Sequence, residues 1–365
     1  MPLHCGIIGV SGVGKTTIFN SLSGSRSQSA KTSFSPGKTN ISTINVPDQR
    51  LYELEKFQKT ERIVHATVEM VDIPGLIRTT GKGEGTGNKF LSDIRNADAL
   101  VHILRCFSDD IIPHIEGSVD PVRDKETVDI ELQLKDLESV EKKIQRVEKA
   151  AKVGDKEAKK ALEVLQVYRR HLESFQPART APVSEDDTKY VSDLSLLSSK
   201  PVIYVCNVDD SSVAEGNEFT RKITSVPEND NTEVLFIAGA AEAEISELEN
   251  PDDRLAFLND LGLEEPGVNK LIRSAYRLLN LRTFFTVGPK EIRAWTIRNG
   301  MNAQQSAGVI HSDLERGFIR SEVIKYNDFI TLGSEHACKE KGRFFIEGKN
   351  YLVQDGDLLH IRFNV

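Results

Sequence analysis

The sequence predicts an α/β protein in which a mostly parallel sheet domain is interrupted by an antiparallel helical hairpin and followed by a smaller β-rich module. Three observations carry this reading. A short apolar run, Cys5 to Val10, feeds a glycine-rich turn and then a helical pattern through Ile18, Phe19 and Leu22. Beyond residue 122 the apolar residues recur at spacings of three and four on a charged background. From about residue 282 the pattern changes to short strand signals separated by turn residues.

Taken in order, Ala66 to Asp72 and Ala99 to Leu104 are strand candidates that alternate with helical patterns, which favours a parallel sheet. Pro201 to Cys206 and Val234 to Ile237 are buried-strand candidates that complete the same sheet. Between these halves, Ile130, Leu134, Leu137, Val140, Ile144, Val147 and Ala151 form one stripe. Gly154-Asp155 breaks it, and Ala158, Leu162, Leu165, Tyr168, Leu172 and Phe175 form a second. The short turn predicts a coiled-coil-like hairpin; two surface helices lying flat on the sheet are the alternative. Gln176 to Lys189 reads as the return linker. In the last segment Phe284 to Val287 and Glu291 to Ile297 flank Gly288-Pro289, and Gln304 to Arg316 reads as a helix ended by Gly317. Tyr351 to Val353 and Leu358 to Phe363, joined through Gln354-Asp355-Gly356-Asp357, read as a hairpin. The expected boundaries are 1–122 and 191–281 for the sheet domain, 123–190 for the hairpin and 282–365 for a β-grasp-like module.

Composition narrows the class. A chain of 365 residues with 39% hydrophobic and 28% charged residues suits a globular protein of two or three domains. No apolar run approaches the ~20 residues of a membrane helix, and the opening residues carry no signal-peptide pattern. The four cysteines lie far apart without metal-ligand spacing, so a reduced, cytoplasmic protein with no membrane partner is expected. The net charge of −8 argues against DNA as a partner. From Thr283 onward, however, 11 basic residues face 10 acidic ones, making the tail the least acidic part.

The chemistry concentrates in a few motifs. Gly9 to Thr16 fits G-x-x-x-x-G-K-[ST], between a strand and a helix as that motif requires. Backbone amides from Ser11, Gly12, Val13 and Gly14 through Thr17 can wrap an anion, aided by the helix N-terminus. Lys15 can reach β- and γ-phosphates, and the Thr16 hydroxyl can ligate Mg²⁺. Asp72-Ile73-Pro74-Gly75 follows the next apolar strand, so Asp72 is a second candidate for the Mg²⁺ shell and Gly75 for a γ-phosphate contact. Leu76, next in line, has no polar atom to orient a water. Gly81 to Lys89 continues this switch-like region with four glycines. Asn207-Val208-Asp209-Asp210 occupies the place of the base-reading N-K-x-D, and Ala238, Gly239 and Ala240 that of the last base-contacting loop. An Asx turn at a strand end is the simpler alternative for Asn207.

On these residues, together with Gly81 to Leu91, Arg105-Cys106-Phe107, Asp110 to Gly117, Gly288 to Ile297, Ile310 to Ile319 and Asp355-Gly356-Asp357, the chain resembles the Obg-like ATPases of the YchF family over nearly its whole length. The resemblance implies a G domain interrupted by a helical hairpin, a C-terminal TGS domain of β-grasp fold, Mg²⁺-dependent ATP hydrolysis and association with the ribosome, its large subunit and ribosomal RNA. Members of the family carry a hydrophobic residue in place of the water-orienting glutamine, as Leu76 does, and a histidine held to assist hydrolysis falls on His114. Two positions depart from the pattern. The switch I threonine falls on Pro36, which has no hydroxyl; Thr32, Ser35, Thr39 or water would have to substitute. The glutamate associated with preferring ATP is Asp210, the acid that elsewhere pairs with guanine. Since Val208 replaces the lysine that packs on the base, ATP is expected over GTP. A translation-type GTPase and a binding switch with negligible hydrolysis remain the alternatives. His4, His65 and His102 read as structural and Trp295 as core. Arg293, Arg298, Arg316, Arg320 and Lys325 either face RNA phosphates or form a solvated surface.

Overall fold

A computed structural model of the chain describes residues 3–24, 40–74, 84–226 and 232–364. In chain order, strands β1 (His4–Ile8), β2 (Asn40–Asn45), β3 (Ile63–Val64), β4 (Thr67–Asp72) and β5 (Ala99–Arg105) alternate with helices α1 (Lys15–Gly24), α2 (Arg50–Phe57) and α3 (Glu84–Asn96). Two long helices follow, α4 (Pro121–Lys152) and α5 (Lys156–Glu173). Next come β6 (Val202–Asn207), α6 (Glu218–Thr224), β7 (Val234–Ile237), α7 (Gly239–Glu247), α8 (Pro251–Asp260) and α9 (Gly267–Leu278). The chain ends with β8 (Leu281–Val287), β9 (Ile292–Arg298), α10 (Ala303–Ile310), α11 (Ser312–Arg316), β10 (Phe318–Lys325), α12 (Tyr326–Leu332), α13 (Glu335–Glu340), β11 (Phe345–Glu347) and β12 (Asp357–Phe363). Contacts divide it into two units, residues 1–43 with 69–271, and 44–68 with 272–365. Among the described residues no helix is long and apolar enough to cross a membrane.

The first unit is built on a sheet of order β2-β4-β1-β5-β6-β7. β1 runs parallel to β4 and β5, β5 to β6, and β6 to β7. Every residue of β5 and β6 is buried, as in parallel strands covered on both faces. The register brings Ile7 beside Asp72, Arg105 beside Asn207, and Asn207 beside Ile237. The loops leaving these strands therefore gather at one sheet edge, where ligands of open α/β sheets bind.

α4 starts at Asp120, whose side chain accepts from the amides of Val122 and Arg123, with Pro121 in the first turn. Asp155 caps α5 through Ala158 N. The two helices pack through Val140, Val164, Leu165, Tyr168 and Leu172, with Leu137, Ile144 and Val147 beside them. The expected stripe fails at its start: Ile130 and Leu134 are exposed, while Val128 and Leu132 are buried. The reason is a change of neighbour along α4. Its N-terminal half packs on the sheet, where Lys125 Nζ lies 4.8 Å from the Tyr204 ring centroid, and only its C-terminal half meets α5. Phe175, expected on the second stripe, is exposed beyond the end of α5 at φ 54°.

The second unit has the order β11-β10-β12-β8-β9-β3. β8 and β9 form an antiparallel hairpin, and β12 lies parallel to β8 and antiparallel to β10. A hairpin, a helix (α10) and a returning strand parallel to the first make the β-grasp arrangement. Tyr351 to Val353 is no hairpin partner of β12; it makes only a bridge, Leu352 to Asn302. The helix expected over 304–316 breaks at His311, whose backbone is extended and whose Nδ1 accepts from Asp313 N to start α11. Trp295 stacks on Phe284 and donates to Thr286 Oγ1.

Residues 44–68, expected inside the sheet domain, belong to this second unit. β3 runs parallel to β9, and Arg62 pairs with Glu291 at 2.6 Å. Phe57 meets Phe329 edge-on. Arg50 grips Asp48 and Asp355 at 2.7 and 2.8 Å, with its guanidinium over Phe285. A two-residue strand and a mostly polar eight-residue helix carry too little periodicity to be read without their partners.

Candidate active site

The turn between β1 and α1 is shaped by its glycines. At Gly9 (φ 145°) a Cβ would lie 2.5 Å from Ile103 O, and at Gly14 (φ 93°) 2.2 Å from Asn207 Nδ2. Lys15 opens α1 only 6% exposed, with Nζ donating to Val10 O at 2.7 Å and Gly9 O at 3.1 Å. Burial lowers its pKa to about 8, against the pull of Asp72. Thr16 Oγ1 donates to Asp72 Oδ2 at 3.2 Å. Burial pushes the Asp72 carboxyl up, while Lys15, Thr16 and Asn40 draw it back. Two hard oxygen donors at the start of a helix suit Mg²⁺, which keeps most of its shell for water and phosphate. Among the described residues no group of three or more His, Cys, Asp or Glu assembles a metal cage.

Asn207 ties this turn to the last loop of the sheet. Its Nδ2 donates to Val13 O and its Oδ1 accepts from Gly239 N, both at 2.9 Å. The side chain is buried, with one N–H left for a ligand. Ala238 and Gly239 are buried, while Ala240 faces the cavity. Asp210 is exposed on the cavity wall. Asp209 is held by its own turn, accepting from the Ser211 and Ser212 hydroxyls, which lowers its pKa.

Gly12, Gly14, Lys15, Thr16 and Thr17 form one end of a cavity of about 760 Å³. Asn207 to Ser211 and Ala240 line more of it. The remaining wall, Phe107, Ser108, Asp109 and Ile112, was not singled out from the sequence as part of a site, although Phe107 and Ile112 lie in the Arg105–Phe107 and Asp110–Gly117 stretches that carry the resemblance. Ser11 is half-buried and Val13 buried in the same turn. His114 is turned inward. Its ring is 3% exposed, Nδ1 accepts from Glu116 N at 3.1 Å, and Nε2 lies 2.8 Å from Asp124 Oδ2 on α4. With Nδ1 accepting, Nε2 carries the proton and donates it to Asp124. Gly75, Leu76, Pro36, Thr32, Ser35 and Thr39 lie outside the described residues.

Residues 4–153 match the family described as 50S ribosome-binding GTPase. Residues 281–364 match the C-terminal family of YchF GTPases, described as a protein of unknown function. The "Ribosome-binding ATPase YchF" of Bacillus subtilis (strain 168) is 45% identical, with 100% of both chains covered. The protein of that name in Escherichia coli O157:H7 is 42% identical over the same full span. The solved structure of the Schizosaccharomyces pombe YchF GTPase superposes with a TM-score of 0.88 at 31% identity, covering 99% of this chain and 97% of that one. The chain belongs to the YchF family.

Proposed function

We propose that the protein is a Mg²⁺-dependent ATPase that serves as a nucleotide switch on the ribosome in the cytoplasm, through the large subunit and its RNA, with ATP preferred over GTP. The observation that supports this best is the meeting of Thr16 with Asp72 at the start of α1, where Lys15 and Thr16 line one large cavity. Full-length bacterial relatives named as ribosome-binding ATPases support the reaction and the partner.

In this reading phosphate oxygens replace the Gly9 and Val10 carbonyls as the partners of Lys15, and the amides of Gly12 to Thr17 enclose them. Thr16 and Asp72 would hold Mg²⁺, whose positive charge would offset that of the phosphates. Asn207 keeps its brace and offers its remaining N–H to the purine, beside Asp210 and the Ala238–Gly239–Ala240 loop. Val208 is 3% exposed and offers the base no ammonium, which favours ATP. Asp210 and the name of the fission yeast GTPase keep GTP as the second reading. His114, released from Asp124, would orient the attacking water. His114→Ala should then lower kcat by about 10²-fold with nucleotide affinity unchanged. A wild-type rate in that variant would remove His114 from the reaction.

The deciding experiment is steady-state hydrolysis of ATP and of GTP, with and without isolated large ribosomal subunits. ATP turnover that rises on adding the subunits is expected. Turnover of GTP alone would reverse the choice of base.

A further inference from the structure

Arg105 ends β5 with its side chain inside the protein, 1% exposed. Its guanidinium serves one loop. Nε donates to Phe107 O at 3.2 Å, Nη2 to Asp109 O at 3.1 Å and Nη1 to Ile112 O at 2.9 Å, while Cζ lies 4.7 Å from the Phe107 ring centroid. Within the loop, Asp109 Oδ1 accepts from Ile111 N at 2.8 Å. Burying a charge among carbonyls costs desolvation that a strand end has no need to incur. The three carbonyls belong to Phe107, Asp109 and Ile112, which all line the cavity. The next carbonyl, Pro113 O, lies 3.8 Å from where a Cβ on Gly12 would stand, so the loop runs beside the phosphate turn.

We infer that Arg105 is a positioning residue that holds the Phe107–Ile112 loop as a preformed wall for the nucleoside half of the nucleotide. The inference rests on the nucleotide reading above. The phosphates are held by the turn before α1, so the nucleoside must occupy the rest of the cavity, against this loop and the Asn207–Ser211 segment. A rigid wall spares binding the cost of ordering the loop. The planar fork reaches three carbonyls at once, which a lysine ammonium on a flexible stem does not reproduce.

The test compares ATP with inorganic tripolyphosphate, which has the phosphates and no nucleoside, in wild type and Arg105→Lys by calorimetry. In the variant, ATP affinity should fall about tenfold while tripolyphosphate affinity stays unchanged. KM for ATP should rise by the same factor with kcat within about twofold. Arg105→Gln, which buries no charge and keeps two N–H donors, provides the same readout should lysine prevent folding. A parallel loss of both ligands, or no loss of ATP, overturns the inference and leaves the phosphate site standing. Failure of the wild type to bind ATP overturns the nucleotide reading and this inference with it.

Discussion

At Lys15 burial and charge oppose one another. In water a lysine holds its proton to about pH 10.5, whereas here burial brings the pKa to about 8. Between those values the unfolded chain binds a proton that the folded chain does not, so Lys15 makes stability rise with pH across that window. Ligand linkage has the opposite sign. A polyphosphate favours the ammonium form, so affinity for a non-hydrolysable ATP analogue should fall as pH climbs past about 8, with proton uptake on binding. Calorimetry in two buffers of different ionisation enthalpy measures both, and Lys15→Ala should abolish the uptake. The same variant should lose about 1.5–3 kcal/mol of binding for each charge-assisted bond removed. Base choice is tested nearby: Asp210→Glu should raise the ratio of ATP to GTP affinity if the exposed acid reads the base, and an unmoved ratio would assign selection to the Ala238–Ala240 backbone.

Elements are joined in the first unit by buried polar clamps as well as by apolar faces. Asp136, 1% exposed on α4, accepts from Leu197 N, Ser198 N and Ser198 Oγ at 2.6 to 2.7 Å. It replaces an apolar residue in the middle of the helix, fastening the hairpin to the chain that returns to β6. Removing the acceptor strands three donors, two of them backbone amides. Asp136→Ala should therefore destabilise the unit by about 3 kcal/mol in urea unfolding, and Asp136→Asn by less because one acceptor remains. The apolar pattern of α4 was legible over its C-terminal half, where α5 is a constant neighbour. Its first turns were misread because their neighbour is the sheet, which spacing alone does not reveal.

Over the whole chain, two units are assembled from four segments, the crossings falling near residues 43, 68 and 271. Arg50 is the main polar tie of the 44–68 segment to its unit. Held locally by Asp48, it bonds Asp355, 305 positions away, and Asp355 also accepts from Thr283 N. Arg50→Ala should cost about 1–2 kcal/mol. Hydrogen exchange should quicken in α2, β3 and β9 while the amides of α1 keep their protection. A uniform change in both units would contradict this division of the molecule.

The sequence by itself determined the glycine-rich turn before α1, the parallel strands after it and the existence of the hairpin. Each rests on local constraints: glycine dihedrals, fully apolar runs, a repeating helical stripe and turn residues. The resemblance carried the family and, with it, the C-terminal module. Tertiary structure alone decided where residues 44–68 reside, because a short strand is defined by the edge it joins, here β9. It alone turned His114 toward Asp124, and it recruited Phe107, Asp109 and Ile112 to the cavity through a buried arginine. Those contacts depend on residues brought together across the sheet, and a linear pattern does not encode which buried carbonyl a charged side chain will find.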